Sequence, residues 1–164
     1  MATVSNTSPL LNLAIIGERE LVRTQFGSVL VPPAVVDEFQ LGTERPGTSA
    51  LIRALDDGWI DSKEPTDTPL IRTLWQDIDR GEAEAIALAT EREADRVLID
   101  EREARRRARN LGLEVTGALG ILLQAAQEGS LDSVSDTLDR PEEKAGFWIT
   151  PALRQQVMNE LGEK

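Results

Sequence analysis

The chain contains no cysteine and no histidine among its 164 residues. Without thiolate or imidazole it cannot build a disulfide framework, a cysteine or histidine zinc site, or a Ser-His-Asp or Cys-His catalytic pair. Its chemistry is left to carboxylates, amides, hydroxyls and cationic side chains. Aromatic residues are few and scattered, 4% of the total, which gives little support to a platform for sequence-tolerant base stacking. No apolar run approaches the roughly 20 residues of a membrane span, and the N-terminus lacks the basic and apolar regions of a secretory signal, so a soluble cytoplasmic protein without membrane contact is expected. Positive charge is short as well. A net charge of −11 argues against broad adhesion to nucleic acid while leaving room for a small cationic groove or a basic protein partner.

The length suits one domain with one core, and the pattern along it alternates strand and helix. Thr3 to Ser5 reads as a short buried strand, and Ser8-Pro9 as the start of a helix that ends at Gly17. Ser28 to Val31 is a second strand, and Pro32-Pro33 opens a helix whose Val35, Val36 and Phe39 face a core while Glu38 points elsewhere. Gly42 to Gly47 is a loop, Thr48 caps a helix through Leu55 that Gly58 stops, and Trp59-Ile60 is extended. A helix from Thr68-Pro69 runs to about Ile78 and is broken at Gly81. The alanine-rich run Glu82 to Arg92 is the strongest helix former in the chain. Arg96 to Asp100 has the continuous apolar character of a buried parallel strand. A helix to Leu111, a strand from Leu113 to Thr116, a helix from Gly117 to Gln127 and a final amphipathic helix from Thr150-Pro151 to Leu161 complete the chain. No glycine-rich phosphate loop follows any strand, which weighs against a nucleotide-binding domain.

In an open parallel sheet, ligands bind at the carboxyl ends of the strands. Asn6 and Asp100 lie at two such ends, and Glu38 and Glu82 approach from neighbouring helices. Three acids and an amide suit magnesium or manganese, which take oxygen ligands and commonly keep water and substrate phosphate in the remaining positions. Such an ion lowers the pKa of a bound water and stabilises charge on a phosphodiester, so hydrolysis needs no histidine.

The segments VSNTSPLLNLAIIG, VPPAVVDEF, GEAEAIALA, VLIDEREARRRARNLGLEV, TGALGILL and FWITPALRQQVMNELG together resemble a PIN domain, the small nuclease fold of VapC-type toxins in toxin-antitoxin pairs. They resemble in particular a PIN-like branch often left functionally unassigned. The resemblance spans nearly the whole chain. It implies a three-layer α/β/α domain with a short central parallel sheet over residues 1–164, in which 130–164 form a C-terminal helical extension. It further implies a Mg2+- or Mn2+-dependent ribonuclease whose metal is held by Glu38, Glu82 and Asp100, with Asn6 as a weaker neutral ligand and Glu84 and Glu101 supporting them. Glu84 and Asp79 remain alternatives to Glu82. RNA, a small antitoxin protein that docks helically, and a second copy of the chain are the partners it suggests, with Trp148 to Leu161 lining a groove or dimer contact. PIN nucleases usually carry aspartate where this chain has Asn6. The missing charge weakens cation binding and opens an alternative, a catalytically weak PIN-like protein that acts by binding a protein partner or RNA.

Each residue also has a plain structural reading. Asn6 and Ser8 suit a helix cap, Glu82 and Glu84 suit the positive end of a helix dipole, Glu38 suits a solvated helix face, and Asp100 suits the start of the next helix. Arg102, Arg105, Arg106 and Arg109 share one helical face beginning beside Asp100. With Ser8 that face offers contacts to an RNA backbone, which position a strand without reading its sequence. The plain alternative pairs Glu101 with Arg105 and Glu103 with Arg107 at i,i+4.

Overall fold

The computed structural model describes residues 2–15, 17–41 and 47–128. Residues 42–46 of the expected Gly42 to Gly47 loop, the helical extension over 130–164 and its groove at Trp148 to Leu161 lie outside the described residues. Five short strands, β1 (Thr3–Ser5), β2 (Val29–Val31), β3 (Ile60–Ser62), β4 (Arg96–Leu98) and β5 (Val115–Thr116), form one parallel sheet in the order β3-β2-β1-β4-β5. Eight described helices cover it: α1 (Thr7–Ile15), α2 (Glu20–Phe26), α3 (Pro33–Leu41), α4 (Thr48–Asp57), α5 (Thr68–Trp75), α6 (Arg80–Glu91), α7 (Arg102–Asn110) and α8 (Ala118–Gln127).

Side chains alternate across the pleat, so β2 and β4 each feed two cores. Leu98 of β4, with Val29 and Val31 of β2, packs beneath α1, α3, α4 and α8 through Leu10, Leu13, Phe39, Leu51, Ile121 and Leu122. Val97 and Ile99 point to the opposite face, where Val4 meets Ile86 and Leu88 of α6 and Ala104 and Ala108 of α7. The sheet is therefore the middle layer of a three-layer α/β/α fold.

The alanines of α6 explain its place. Ala83, Ala85, Ala87 and Ala89 are all fully buried, and their lack of bulk lets the helix axis lie close to the sheet. The same run that scores highest for helix propensity is thus also the most enclosed helix in the fold.

Three boundaries differ from the sequence expectations in ways that bear on function. Helix α2 has no expected counterpart; its N-cap position is Arg19, without a side-chain cap, and it is only seven residues long. The helix from Thr68 ends at Trp75, and Gly81 lies inside the first turn of α6 instead of separating two helices. The cause is a capping box: the Asp79 carboxylate accepts from the Glu82 N–H at 2.8 Å while the Glu82 carboxylate accepts from the Asp79 N–H at 3.1 Å, which starts the helix before the glycine. Finally, β4 ends at Leu98, leaving Ile99, Asp100 and Glu101 as a short connection whose last member caps α7.

Candidate active site

The strand order reverses between β1 and β4, because β1 continues toward β2 and β3 on one side while β4 and β5 extend the other. Their carboxyl ends are fastened together, with the Asn6 N–H donating to the Leu98 carbonyl at 3.0 Å. This is the switch point at which open α/β sheets form binding crevices.

Asn6 is 3% exposed, and its side-chain carbonyl Oδ1 has no hydrogen-bond partner among the described residues. The neighbouring Thr7 hydroxyl is in the same condition. A buried acceptor left unmet costs roughly 1–3 kcal/mol, so this arrangement is conspicuous. The Asn6 carbonyl faces Gly81. A Cβ placed on that glycine would stand 3.1 Å from Asn6 Oδ1, 2.7 Å from Glu38 Oε1 and 3.6 Å from Asp79 Oδ1. Three oxygens from β1's end, α3 and the α6 N-cap thus converge where the chain has no side chain of its own.

Glu82 sits one residue further along α6 and is 5% exposed. Burial is the main reason that its pKa rises from 4.5 to about 7; the Asp79 N–H opposes the rise, and the charges of Asp79, Glu101 and Glu38 add to it. Glu82 is therefore surrounded by like charge. Glu84, expected as a possible substitute, turns away to Arg80, whose Nε donates to it at 2.7 Å.

Asp100 belongs to a different set of contacts. Its Oδ1 accepts from the Ala118 N–H at 2.7 Å, and its Oδ2 accepts from Asn12 Nδ2 at 2.8 Å. Arg105 stands beside it and donates to the Ile99 carbonyl at 3.0 Å. A Cβ on Gly117 would stand 2.6 Å from Arg105 Nη1 and 2.7 Å from Asp100 Oδ1, so a side chain there would push both groups aside at the start of α8. Burial raises the Asp100 pKa, while Ala118, Asn12 and Arg105 each pull it down. The acids that raise the Glu82 pKa do not act on Asp100. Glu101, by contrast, acts on Glu82 while its own carboxylate caps α7 through the Ala104 N–H at 2.8 Å.

The sequence candidates thus divide. Asn6, Glu38 and Glu82 come together, joined by Asp79 and Glu101, whereas Asp100 and Arg105 form a separate polar knot with Asn12 and the N-terminus of α8. Ser8 lies half-buried in the first turn of α1, and Arg102 is exposed at the start of α7. Of the arginine run, Arg106 bonds Glu103, and Arg107 bonds both Glu103 and Asp77. Gly81 and Asn12 were not expected at either cluster. A pattern of Asp79, Gly81 and Glu82 at capping-box spacing was the available signal for the first; nothing in the local sequence marks the second.

The donors suit a hard divalent cation in kind, being carboxylate and amide oxygens around an acceptor that lacks a proton to receive. As they lie, no three acidic side chains among the described residues stand close enough to hold a metal ion. Among the described residues no helix is long and apolar enough to cross a membrane.

A family model of the DUF3368 family, described as a PIN domain, matches residues 2–163. Comparison with curated proteins and with solved structures gives no match.

Proposed function

We propose that this chain, which belongs to the PIN-domain family, whose members are generally nucleases that use divalent metals and bind RNA, is a Mg2+- or Mn2+-dependent endoribonuclease of VapC type. The chain works in this reading as one domain, residues 130–164 included. It is the toxin of a pair that a small antitoxin protein neutralises, and it acts alone or as a dimer of identical copies. The observation that carries the proposal is the buried, unpartnered Asn6 carbonyl beside the Glu38 carboxylate at the Gly81 hollow.

Glu38, Glu82 and Asn6 would hold the cation, with Glu101 supplying the acid at the end of β4. When bound, such an ion supplies positive charge for a phosphodiester and acidifies water. The chain's own contribution is positional. The capping box of Asp79 and Glu82 fixes the first turn of α6, Gly81 leaves the space into which the oxygens point, and the Asn6 N–H to Leu98 bond holds the two strand ends in register. Asp100 takes a supporting place in this reading, holding α1, α8 and Arg105 around the connection that carries Glu101. Ser8 and Arg102 are left to contact the RNA backbone.

Purified wild type, Asn6→Asp, Glu38→Gln and Asp100→Ala proteins, each freed of any copurifying partner, are to be compared for manganese- and magnesium-dependent cleavage of a mixed RNA pool. Cleavage by wild type that Glu38→Gln abolishes supports the proposal. Silence of every protein, Asn6→Asp included, sinks it. A second reading, a catalytically weak protein that binds a partner or RNA, rests on the asparagine at position 6, and cleavage by Asn6→Asp alone would favour it.

A further inference from the structure

Trp75 closes α5 and is 51% exposed, one of three large apolar side chains so placed among the described residues. The guanidinium carbon of Arg80 lies 5.4 Å from the centroid of its ring, within the range of a cation–π contact. Arg80 is itself steadied by Glu84. Arg72 and Gln76 flank the indole, and the three residues Arg72, Trp75 and Gln76 line a shallow depression of about 310 Å³. An exposed flat ring with a guanidinium group over it is a surface on which nucleobases stack, because every base presents a π-face and arginine planes stack as rings do.

Its place in the fold matters more than its exposure. Arg80 is the residue before Gly81, so their Cα atoms stand about 3.8 Å apart, and Gly81 is the point on which the Asn6, Glu38 and Asp79 oxygens converge. The basic helix α7 reaches the same corner, since Arg107 bonds Asp77 in the connection between α5 and α6. Residues 102–109 carry five arginines and one acid, in a chain whose net charge is −11. Arg80 thus joins the ring of Trp75 to the first turn of α6, and α7 meets the connection between α5 and α6 through Arg107.

We propose that Trp75, with Arg80 over its ring and Arg72 beside it, is a stacking subsite that takes one base of a single-stranded RNA whose phosphate backbone runs along α7 past the Gly81 hollow. The proposal rests on the nuclease reading above and names how that site holds its substrate. A docked helix is the less suitable occupant: it needs several apolar anchors at helical spacing, and here Trp75 is the only large exposed apolar group among Arg72, Gln76 and Arg80.

The test uses the full chain in EDTA, where metal-dependent cleavage does not interfere. Binding of a labelled oligouridine is measured for wild type, Trp75→Ala and Trp75→Phe, beside binding of inorganic polyphosphate of equal phosphate number, which has charge but no bases. Trp75→Ala is expected to weaken oligouridine binding by about tenfold, roughly 1.4 kcal/mol, leave polyphosphate binding unchanged, and be largely rescued by Trp75→Phe. Oligouridine is also expected to quench indole emission in wild type and not in Trp75→Phe, which retains Trp59 and Trp148. Unchanged oligouridine binding by Trp75→Ala overturns the proposal, as does an equal loss toward polyphosphate or quenching by a helical peptide and not by RNA. The two readings fail separately: Trp75-dependent binding without manganese-dependent cleavage removes the nuclease and keeps the platform, while cleavage with Trp75-independent binding does the reverse.

Discussion

Two carboxylates at the same end of the sheet, Glu82 buried and Asp100 half-buried, meet opposite surroundings. Burial raises the pKa of both Asp100 and Glu82. Every named neighbour of Asp100, the Ala118 N–H, the Asn12 amide and Arg105, opposes that rise. The neighbouring charges of Glu82, on Asp79, Glu101 and Glu38, all reinforce it. One acid has been given its counter-groups by the fold, and the other is placed among its own kind beside an unmet carbonyl. A carboxylate already supplied with donors gains less from a cation arriving from outside than a crowded set does.

The comparison is broken most directly at Asp100. Removing that carboxylate in Asp100→Ala leaves the Ala118 N–H and the Asn12 amide without their acceptor and Arg105 without its nearest charge. A loss of about 3 kcal/mol in unfolding free energy is expected, read by urea denaturation at constant m-value. Loss of cleavage with undiminished stability would instead return Asp100 to the ligand set.

Gly81→Ala sharpens the other side. The new Cβ meets Glu38 Oε1 at 2.7 Å and Asn6 Oδ1 at 3.1 Å, both ends of movable side chains, so the helix accepts it and gains up to about 1 kcal/mol of propensity. The same methyl fills the hollow on which the oxygens converge. Thermal stability is expected to hold or rise, while the manganese affinity measured by calorimetry falls about tenfold or more. A variant that binds manganese as the wild type does would show that the hollow is not the cation's place.

Much of this frame was legible in the sequence, and the failures have physical causes. The strands at residues 3–5, 29–31 and 96–98 carry β-branched or leucine residues between clear breakers, and proline or a cap starts the helices after them. Helix α2 escaped because it has no capping side chain and spans two turns. Local propensity predicts a break at Gly81, and the Asp79–Glu82 box, which acts across three residues, overrides it. Asp100 and Glu101 are adjacent, and adjacent residues leaving a strand face opposite ways: the charge of Glu101 acts on Glu82, whereas Asp100 meets Ala118, Asn12 and Arg105. Trp75 could not be read as a platform because its partner Arg80 comes from the next helix.

The pH dependence of stability follows from the raised pKa of Glu82. In the folded chain Glu82 holds its proton up to about pH 7, whereas unfolded it ionises near 4.5. Between those values the native state binds more protons, so stability falls as pH rises through that window. Glu82→Gln retains the capping box, which accepts glutamine, and removes the charge. It is expected to match wild type at pH 4.5 and to exceed it at pH 8 by on the order of 1 kcal/mol after allowance for solvent screening. Saturating manganese should reverse that order, since only the carboxylate gains from the ion. Thermal unfolding at the two pH values, with and without manganese, reads both signs; a wild type that gains stability across this window would contradict the crowding.

The smallest effect separates the two acids that follow β4. Glu101→Gln keeps an oxygen to cap α7 and changes stability by a few tenths of a kcal/mol, too little to interpret alone. A double-mutant cycle with Glu82→Gln cancels the cap and isolates the repulsion between the two side chains. A coupling of about 0.5 kcal/mol is expected at pH 8, falling below detection at pH 4.5, where Glu82 is protonated in the folded chain. The parallel cycle of Glu82→Gln with Asp100→Asn is expected to be additive, because Asp100 sends its charge to Ala118, Asn12 and Arg105. Coupling in the second cycle and additivity in the first would exchange the two residues' places, making Asp100 the acid that shares the field of Glu82.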